Sequence, residues 1–244
     1  MKYIKLNGIV LKETDFEDTS KILTLLTDKK GKIQVISKNC KRTHNSLIGV
    51  SQPLIYSEFI LKKSNDIYLI VSASIIESFF EISKSLDQTI YASYFIELID
   101  NFLDFEQEDE NYLRLLLNTL FLLKNNFDKE VLARIFEIKV LSISGFLPNL
   151  IYCNKCGRTD IDEVFFSFEE GCIYCSSCKK KHNPSITLDT IKTILLINAT
   201  ELKKIHKIEI PNHVNKQLSS IISKYISIIL QKEIHILDFL KFIK

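Results

Sequence analysis

The sequence predicts an α+β protein in two parts, a β unit in residues 1–80 and a mostly helical unit in residues 81–244. Three observations lead to this prediction. Short apolar runs alternate with polar residues in the first part, which shows no helical period. In the second part, apolar residues recur at a spacing of three and four. Five of the six cysteines lie between residues 153 and 178, inside an insertion at about 150–182.

The composition is that of an ordinary globular protein. Of the 244 residues, 46% are hydrophobic and 25% are charged. No apolar run approaches the roughly 18 residues that a membrane span requires, and the N-terminus lacks the apolar stretch of a signal peptide. We therefore expect a cytoplasmic protein without a membrane partner.

The net charge of +2 conceals an uneven distribution. Residues 1–80 carry 12 basic and 8 acidic side chains, residues 81–145 carry 6 and 12, and residues 183–244 carry 9 and 5. A basic N-terminal part is suited to a polyanion, whereas the acidic middle is suited to another kind of partner.

Five short strands are predicted in the β unit. The first contains Ile4 and Leu11 with a bend or bulge at Gly8, and a polar loop follows it at Thr14–Thr19. The others are predicted at Ile22–Leu26, Lys32–Ser37, Pro53–Leu61 and Ile67–Ala73, with turns at Asp28–Gly31 and Lys62–Asp66. Five such strands in about 75 residues indicate a small barrel or sandwich.

Apolar residues at helical spacing predict five helices in the second part. They are placed around Ile90–Phe102, Leu113–Leu123, Val131–Leu141 and Leu188–Leu196, and from Pro211 to Ile229. The acidic segment Asp104–Glu110 predicts a loop between the first two, and Gly145 and Pro148 end the third.

The cysteine spacing predicts a metal site. Cys153-x-x-Cys156 and Cys175-x-x-Cys178 are separated by 18 residues, as in four-thiolate zinc ribbons and knuckles. The intervening tract predicts a hairpin that brings the two pairs together. Four thiolates close the tetrahedron, so one Zn²⁺, favoured over iron, would be structural and not catalytic. Cys172 and His182 remain open as alternative ligands.

A second candidate site is the stretch from Lys29 to Arg42. It contains six cations and no acid: Lys29, Lys30, Lys32, Lys38, Lys41 and Arg42. On a small barrel these would line one rim or groove, where they neutralise phosphates. The alternative is a solvated turn. Phosphate-binding glycine loops, nucleophile elbows and HExxH are absent from the sequence, so we expect no enzyme.

The order of these features resembles the RecO family of bacterial recombination mediators. The likeness is carried by the first strand at 8–12, by the second and third strands at 18–33, and by the basic stretch Lys38-Asn39-Cys40-Lys41-Arg42. Later, 145–150 leads into Cys153-Asn154-Lys155-Cys156-Gly157, a hairpin and Cys175-Ser176-Ser177-Cys178. The resemblance extends over nearly the whole chain.

The resemblance implies an N-terminal OB-fold barrel followed by a helical domain with a four-cysteine zinc finger. Cys172 stands where the family has a Gly, which favours Cys153, Cys156, Cys175 and Cys178 as the ligands. Asn39 also replaces a usual Gly, and Asn is tolerated there because it enters the left-handed region more readily than most residues.

The resemblance also implies a function in DNA repair and recombination. Similar proteins bind single- and double-stranded DNA, anneal complementary strands, and assist RecA loading on DNA coated by single-strand-binding protein. They act with RecR, and in some bacteria with RecF, at the nucleoid. Two other functions are considered: a zinc-ribbon OB-fold protein that binds RNA, and an adaptor without a nucleic-acid role.

Overall fold

The computed structural model describes residues 3–64 and 67–242. The chain divides into two compact units, Met1–Asn125 and Asn126–Lys244. None of the described helices has the length and apolar character needed to cross a membrane.

The first unit is built on a closed five-stranded barrel with the strand order β1-β2-β3-β5-β4. The strands are β1 Tyr3–Phe16, β2 Ser20–Thr27, β3 Gly31–Ser37, β4 Ile55–Ser64 and β5 Ile67–Ser78. All neighbours are antiparallel except β3 and β5, which pair in parallel through Val35–Tyr68 and Ile36–Leu69. This is the OB-like arrangement, so the five-strand prediction and the fold class are confirmed.

Alternation along each strand fills the barrel interior. One side chain in two faces inward, because successive residues of a strand point to opposite faces. The buried set includes Leu6, Val10, Leu23, Leu25, Ile33, Val35, Phe59 and Leu61. Cys40, in the turn after β3, belongs to the same core and is 3% exposed.

Two details of the predicted first strand are wrong. The strand continues through the predicted loop to Phe16, where Asp15 pairs with Lys21 and Phe16 pairs with Ser20. The residues at this end of β1 are polar, but they remain in the strand because their backbone stays paired with β2. Gly8 lies in regular register, and the bulge occurs instead between Val10 and Lys12.

Segments after β3 also differ from the prediction. A short helix, α1 Leu47–Val50, lies between β3 and β4 and buries Leu47 and Val50. Strand β5 continues beyond Ala73 to Ser78. Of the predicted turn at 62–66, Lys62 to Ser64 belong to β4, whereas Asn65 and Asp66 lie outside the described residues.

Helices α2 Leu86–Phe102 and α3 Glu110–Lys124 complete the first unit, after a short 3₁₀ segment at Phe80–Lys84. A loop between them was predicted at Asp104–Glu110; it covers 103–109, and Glu110 is the first residue of α3. Asp109 begins α3 by accepting a hydrogen bond from the backbone N–H of Asn111. The first compact unit thus extends beyond the barrel, and a separate domain at 1–80 stays a prediction.

The second unit combines three long helices with a small sheet. The helices are α4 Lys129–Ile143, α5 Leu188–Ala199 and α6 Asn212–Leu230, and 3₁₀ segments cover Leu202–Lys207 and Ile236–Phe242. Strands β6 Asn149–Cys153, β7 Val164–Ser167, β8 Cys172–Cys175 and β9 Ser185–Ile186 form a sheet in the order β6-β8-β7-β9. The predicted hairpin is the antiparallel pair β7–β8.

Candidate metal centre and nucleic-acid interface

The four predicted cysteines form one cluster in the second unit. The Sγ atoms of Cys153, Cys156, Cys175 and Cys178 all lie within 4.8 Å of one another. Cys153 ends β6 and Cys175 ends β8, and each is followed by a turn that carries its partner. The group can hold a metal ion, because four thiolates at this separation match a tetrahedral set.

The two turns explain how the sulfurs converge. In the first, the backbone N–H of Gly157 donates to the Cys153 carbonyl at 2.9 Å, and Gly157 adopts a φ of 71°, which favours glycine. In the second, the N–H groups of Cys178 and Lys179 both donate to the Cys175 carbonyl at 3.0 Å. The backbone N–H of Cys175 also lies 3.4 Å from Cys153 Sγ, which links the two turns.

The electrostatics of the cluster favour a bound cation. Burial alone would raise the pKa of Cys153, but backbone N–H groups of Cys156 and Cys175 lower it to about 6. Contact with Cys175, together with burial, raises the pKa of Cys178 to about 12. A divalent ion held by the cluster would stabilise the thiolate form of its ligands.

Neither alternative ligand joins the cluster. Cys172 and Cys175 are three residues apart on one strand, so they point to opposite faces. The Cys172 Sγ is buried, 3.8 Å from Glu170 Oε2, and burial raises the pKa of Cys172. His182 is exposed and lies outside the group of four that the described residues contain.

The six predicted DNA-binding cations do not form one patch. Lys29 and Lys30 precede β3, whereas Lys38, Lys41 and Arg42 follow it. Because β3 has seven residues, its two ends are separated by about 20 Å. Cations that are adjacent in the sequence therefore lie at opposite ends of the barrel.

At the beginning of β3, most of the cationic charge is already paired within the unit. Lys32 is 3% exposed, and its Nζ lies 2.9 Å from Asp100 Oδ1. Lys30 Nζ donates to Glu108, and Lys29 Nζ donates to the Lys5 carbonyl at 2.9 Å. Lys32 is thus inaccessible to a phosphate.

The end of β3 carries the more available cations, in the segment 38–42, which we call the β3-end loop. Lys38 and Arg42 are exposed, and neither has an ion-pair partner within residues 3–64 and 67–242. Lys41 Nζ lies 2.7 Å from Asp15 Oδ1, in a pair whose aspartate side chain is 75% exposed.

The β3-end loop is held in a defined shape. Asn39 adopts a φ of 56°, which confirms the left-handed conformation predicted for this position. Its backbone N–H donates to Ser20 Oγ at 3.2 Å, and the Lys41 N–H donates to the Thr19 carbonyl at 3.0 Å. With Cys40 buried in the barrel core, the loop presents Lys38 and Arg42 outward from a fixed base.

Sequence reasoning did not single out the exposed face of α6, which carries two lysines and a histidine. This helix contains no Asp or Glu, unlike α2 to α5. Its exposed face presents His213, Lys216 and Lys224 at helical spacing, interspersed with serines. The excess of basic residues in 183–244 was the available signal, but the helix boundaries were needed to place these side chains on one face.

Comparison with known proteins agrees with this architecture. Residues 1–79 match the family model of the recombination protein O N-terminal region, and residues 83–236 match that of its C-terminal region. The chain is 51% identical to a DNA repair protein RecO of Caldicellulosiruptor saccharolyticus and 52% identical to one of Caldicellulosiruptor bescii, over 244 residues and the full length of each. It is 31% identical to a DNA repair protein RecO of Acetivibrio thermocellus, over 99% of this chain and 97% of the relative. The chain therefore belongs to the RecO family.

Proposed function

We propose that this protein is a DNA repair and recombination mediator that binds single- and double-stranded DNA through backbone phosphates. The observation that carries the proposal is the β3-end loop, because it presents Lys38 and Arg42 without ion-pair partners among the described residues. The relatives named DNA repair protein RecO support the same role. Phosphate contacts of this kind do not depend on base sequence.

A mediator needs no bond chemistry. It would assist RecA loading, together with RecR and in some bacteria RecF, by competing with the single-strand-binding protein for DNA. Lysine and arginine are suited to such competition, since each phosphate contact releases condensed counterions and is readily exchanged. We accordingly propose a non-catalytic role in the cytoplasm, at the nucleoid.

Strand annealing requires that two polyanions be held by one molecule. The face of α6 that carries Lys216 and Lys224 supports this activity, because it is a second surface in a different compact unit from the β3-end loop. Its serines add hydroxyl donors, which often contact phosphate oxygens in protein–DNA complexes. We propose that His213, Lys216 and Lys224 contact one strand while the β3-end loop contacts the other.

The metal that we propose for the cysteine cluster is Zn²⁺, held by Cys153, Cys156, Cys175 and Cys178. The donor set fits, because thiolates are soft ligands and the four Sγ atoms are mutually close. Bound zinc would stabilise the fold of the sheet that carries it. The acidic middle of the chain, residues 81–145, is suited to protein contacts, and we propose it as a surface for RecR or the single-strand-binding protein.

The proposal is tested with fluorescent single strands of DNA and RNA of equal length, titrated with the protein at several salt concentrations. We expect DNA binding with an apparent affinity that falls by about 0.7 log units per phosphate contact for each decade of salt. Complementary strands should anneal faster with the protein than without it. A preference for RNA without annealing would support the RNA-binding alternative, and no binding to either polymer would support an adaptor.

A further inference from the structure

The loop between α2 and α3 lies directly against the turn between β2 and β3. The backbone N–H of Glu106 donates to the Lys32 carbonyl at 2.8 Å, and Lys32 and Phe105 form a parallel β-bridge. Gly31 adopts a φ of 56°, and a Cβ there would lie 1.8 Å from the Gln107 carbonyl oxygen. The contact is therefore close-packed backbone against backbone.

The side chain of Lys32 joins β3 to α2 and also contacts this loop. Its Nζ donates to the carbonyl of Asp100 at 2.7 Å and to Asp100 Oδ1 at 2.9 Å, near the end of α2. The same Nζ lies 4.6 Å from the centre of the Phe105 ring. The backbone pairing with Lys32 and the contact with the Phe105 ring position the loop without its exposed acidic side chains.

Segment 104–110 consequently brings a dense negative charge to the β2–β3 turn. It contains five acidic residues in seven positions: Asp104, Glu106, Glu108, Asp109 and Glu110. Glu108 reaches the turn itself, where its carboxylate accepts a hydrogen bond from Lys30 Nζ. That hydrogen bond raises the pKa of Lys30 above its ordinary value.

We propose that Glu108 occupies, on Lys30, the position that a nucleic-acid phosphate would take. A carboxylate offers a negative charge and paired acceptor oxygens, as a phosphate does. The acidic segment would thus mask the β2–β3 turn and direct DNA to the β3-end loop. The inference rests on the proposed function, because it concerns which cations of the barrel are accessible to DNA.

The ion pair between Lys30 and Glu108 is exposed, so masking Lys30 can be distinguished from a contribution to folding. The side chains of Lys30 and Glu108 are 36% and 58% exposed, so their ion pair contributes little to folding. The buried contacts of Lys32 and Gly31 already hold the loop. Neutralising Glu108 should therefore leave the fold intact and release one accessible cation.

The test compares Glu108→Gln with the unmodified protein in titrations of fluorescent single-stranded DNA. One additional phosphate contact adds about 0.7 to the salt slope, which corresponds to about fivefold tighter binding at 0.1 M salt relative to 1 M. The double variant Lys30→Ala with Glu108→Gln should lose this gain. The matched control is Asp104→Asn, which changes the net charge equally but has no ion-pair partner among the described residues.

Equal affinities for Glu108→Gln and Asp104→Asn would overturn the inference, as would a gain that persists without Lys30. A failure of the proposed function would look different, because the unmodified protein would then not bind DNA at all. An unchanged thermal midpoint in Glu108→Gln confirms that the comparison concerns binding and not folding.

Discussion

Lys32 Nζ lies 2.9 Å from Asp100 Oδ1 and 2.7 Å from the Asp100 carbonyl oxygen. Lys32 belongs to the most cationic stretch of the sequence, yet its side chain is 4% exposed. Its positive charge therefore joins β3 to the end of α2, and it is not available to DNA. Lysines that are close in the sequence and carry the same charge can thus have different roles, one in stability and another in binding.

Replacing Lys32 by Met should destabilise the first unit. The change keeps much of the side-chain volume but leaves the Asp100 carboxylate without its buried partner. Breaking a buried pair costs about 3–5 kcal/mol, and we expect about 2–3 kcal/mol because Asp100 is 25% exposed and keeps Lys12. Urea unfolding followed by circular dichroism measures the loss.

Lys12→Met is the matched control for that experiment. Lys12 pairs with the same carboxylate at 2.6 Å, but its side chain is 52% exposed. An exposed pair of this kind is worth less than about 1 kcal/mol. Equal losses for the two variants would contradict the structural role assigned to Lys32.

The Asp100 pair also predicts how stability depends on pH. Burial raises the pKa of Asp100, but hydrogen bonds from Lys12 and Lys32 outweigh it and the net pKa lies below 3.8. A lowered folded-state pKa stabilises the protein above the unfolded value, and this contribution disappears as the pH falls through the folded-state pKa. Between pH 6 and pH 3, Asp100→Asn should lose less stability than the unmodified protein. Parallel pH profiles would be inconsistent with this assignment.

Much of the architecture was predictable because it depends on local patterns. The alternation at Ile33 and Val35 fixes a strand, and the x-x spacing of Cys153 and Cys156 fixes a turn. The pairing of Lys32 with Asp100 was not predictable, since it joins residues 68 positions apart. No local pattern indicates which lysine of a basic run is buried by a segment that lies far away in the sequence.

Gly171 shows another contact that only the folded chain reveals. It adopts a φ of 58°, and a Cβ there would lie 2.3 Å from the Tyr225 hydroxyl. That hydroxyl donates to the Phe146 carbonyl at 3.1 Å. The Tyr225 ring packs edge-on against the Phe166 ring, and the two ring centroids are 5.5 Å apart. The β7–β8 hairpin, whose second strand ends at Cys175, therefore packs closely against α6.

Gly171→Ala should destabilise the second unit by both strain and overpacking. We expect about 1–2 kcal/mol from the left-handed conformation and a further ~1–3 kcal/mol from displacing Tyr225. Gly145→Ala is the control, because Gly145 has a φ of 78° but no atom within 4 Å of its added Cβ. Thermal unfolding measures the midpoint of both variants. Equal shifts of the two midpoints would show that the close contact with Tyr225 does not contribute to the loss of stability.

Metal removal should unfold the region around the cysteine cluster. We expect one zinc per chain by elemental analysis, and Cys153→Ser should lose it together with several kcal/mol of stability, since structural zinc supplies up to about 10–16 kcal/mol of binding free energy. Cys172→Ser is the control, because Cys172 is buried but lies outside the cluster. Zinc retained by Cys153→Ser, or lost from Cys172→Ser, would disprove the ligand assignment.

The most direct test of DNA binding by the barrel is the salt dependence of single-stranded DNA affinity for Lys38→Ala combined with Arg42→Ala. Loss of two phosphate contacts should lower the slope by about 1.4 and weaken binding about 25-fold at 0.1 M salt relative to 1 M. Lys181→Ala with Lys192→Ala removes the same charge from exposed positions in the other unit and should change little. An unchanged slope and affinity after loss of Lys38 and Arg42 would contradict DNA binding through the β3-end loop.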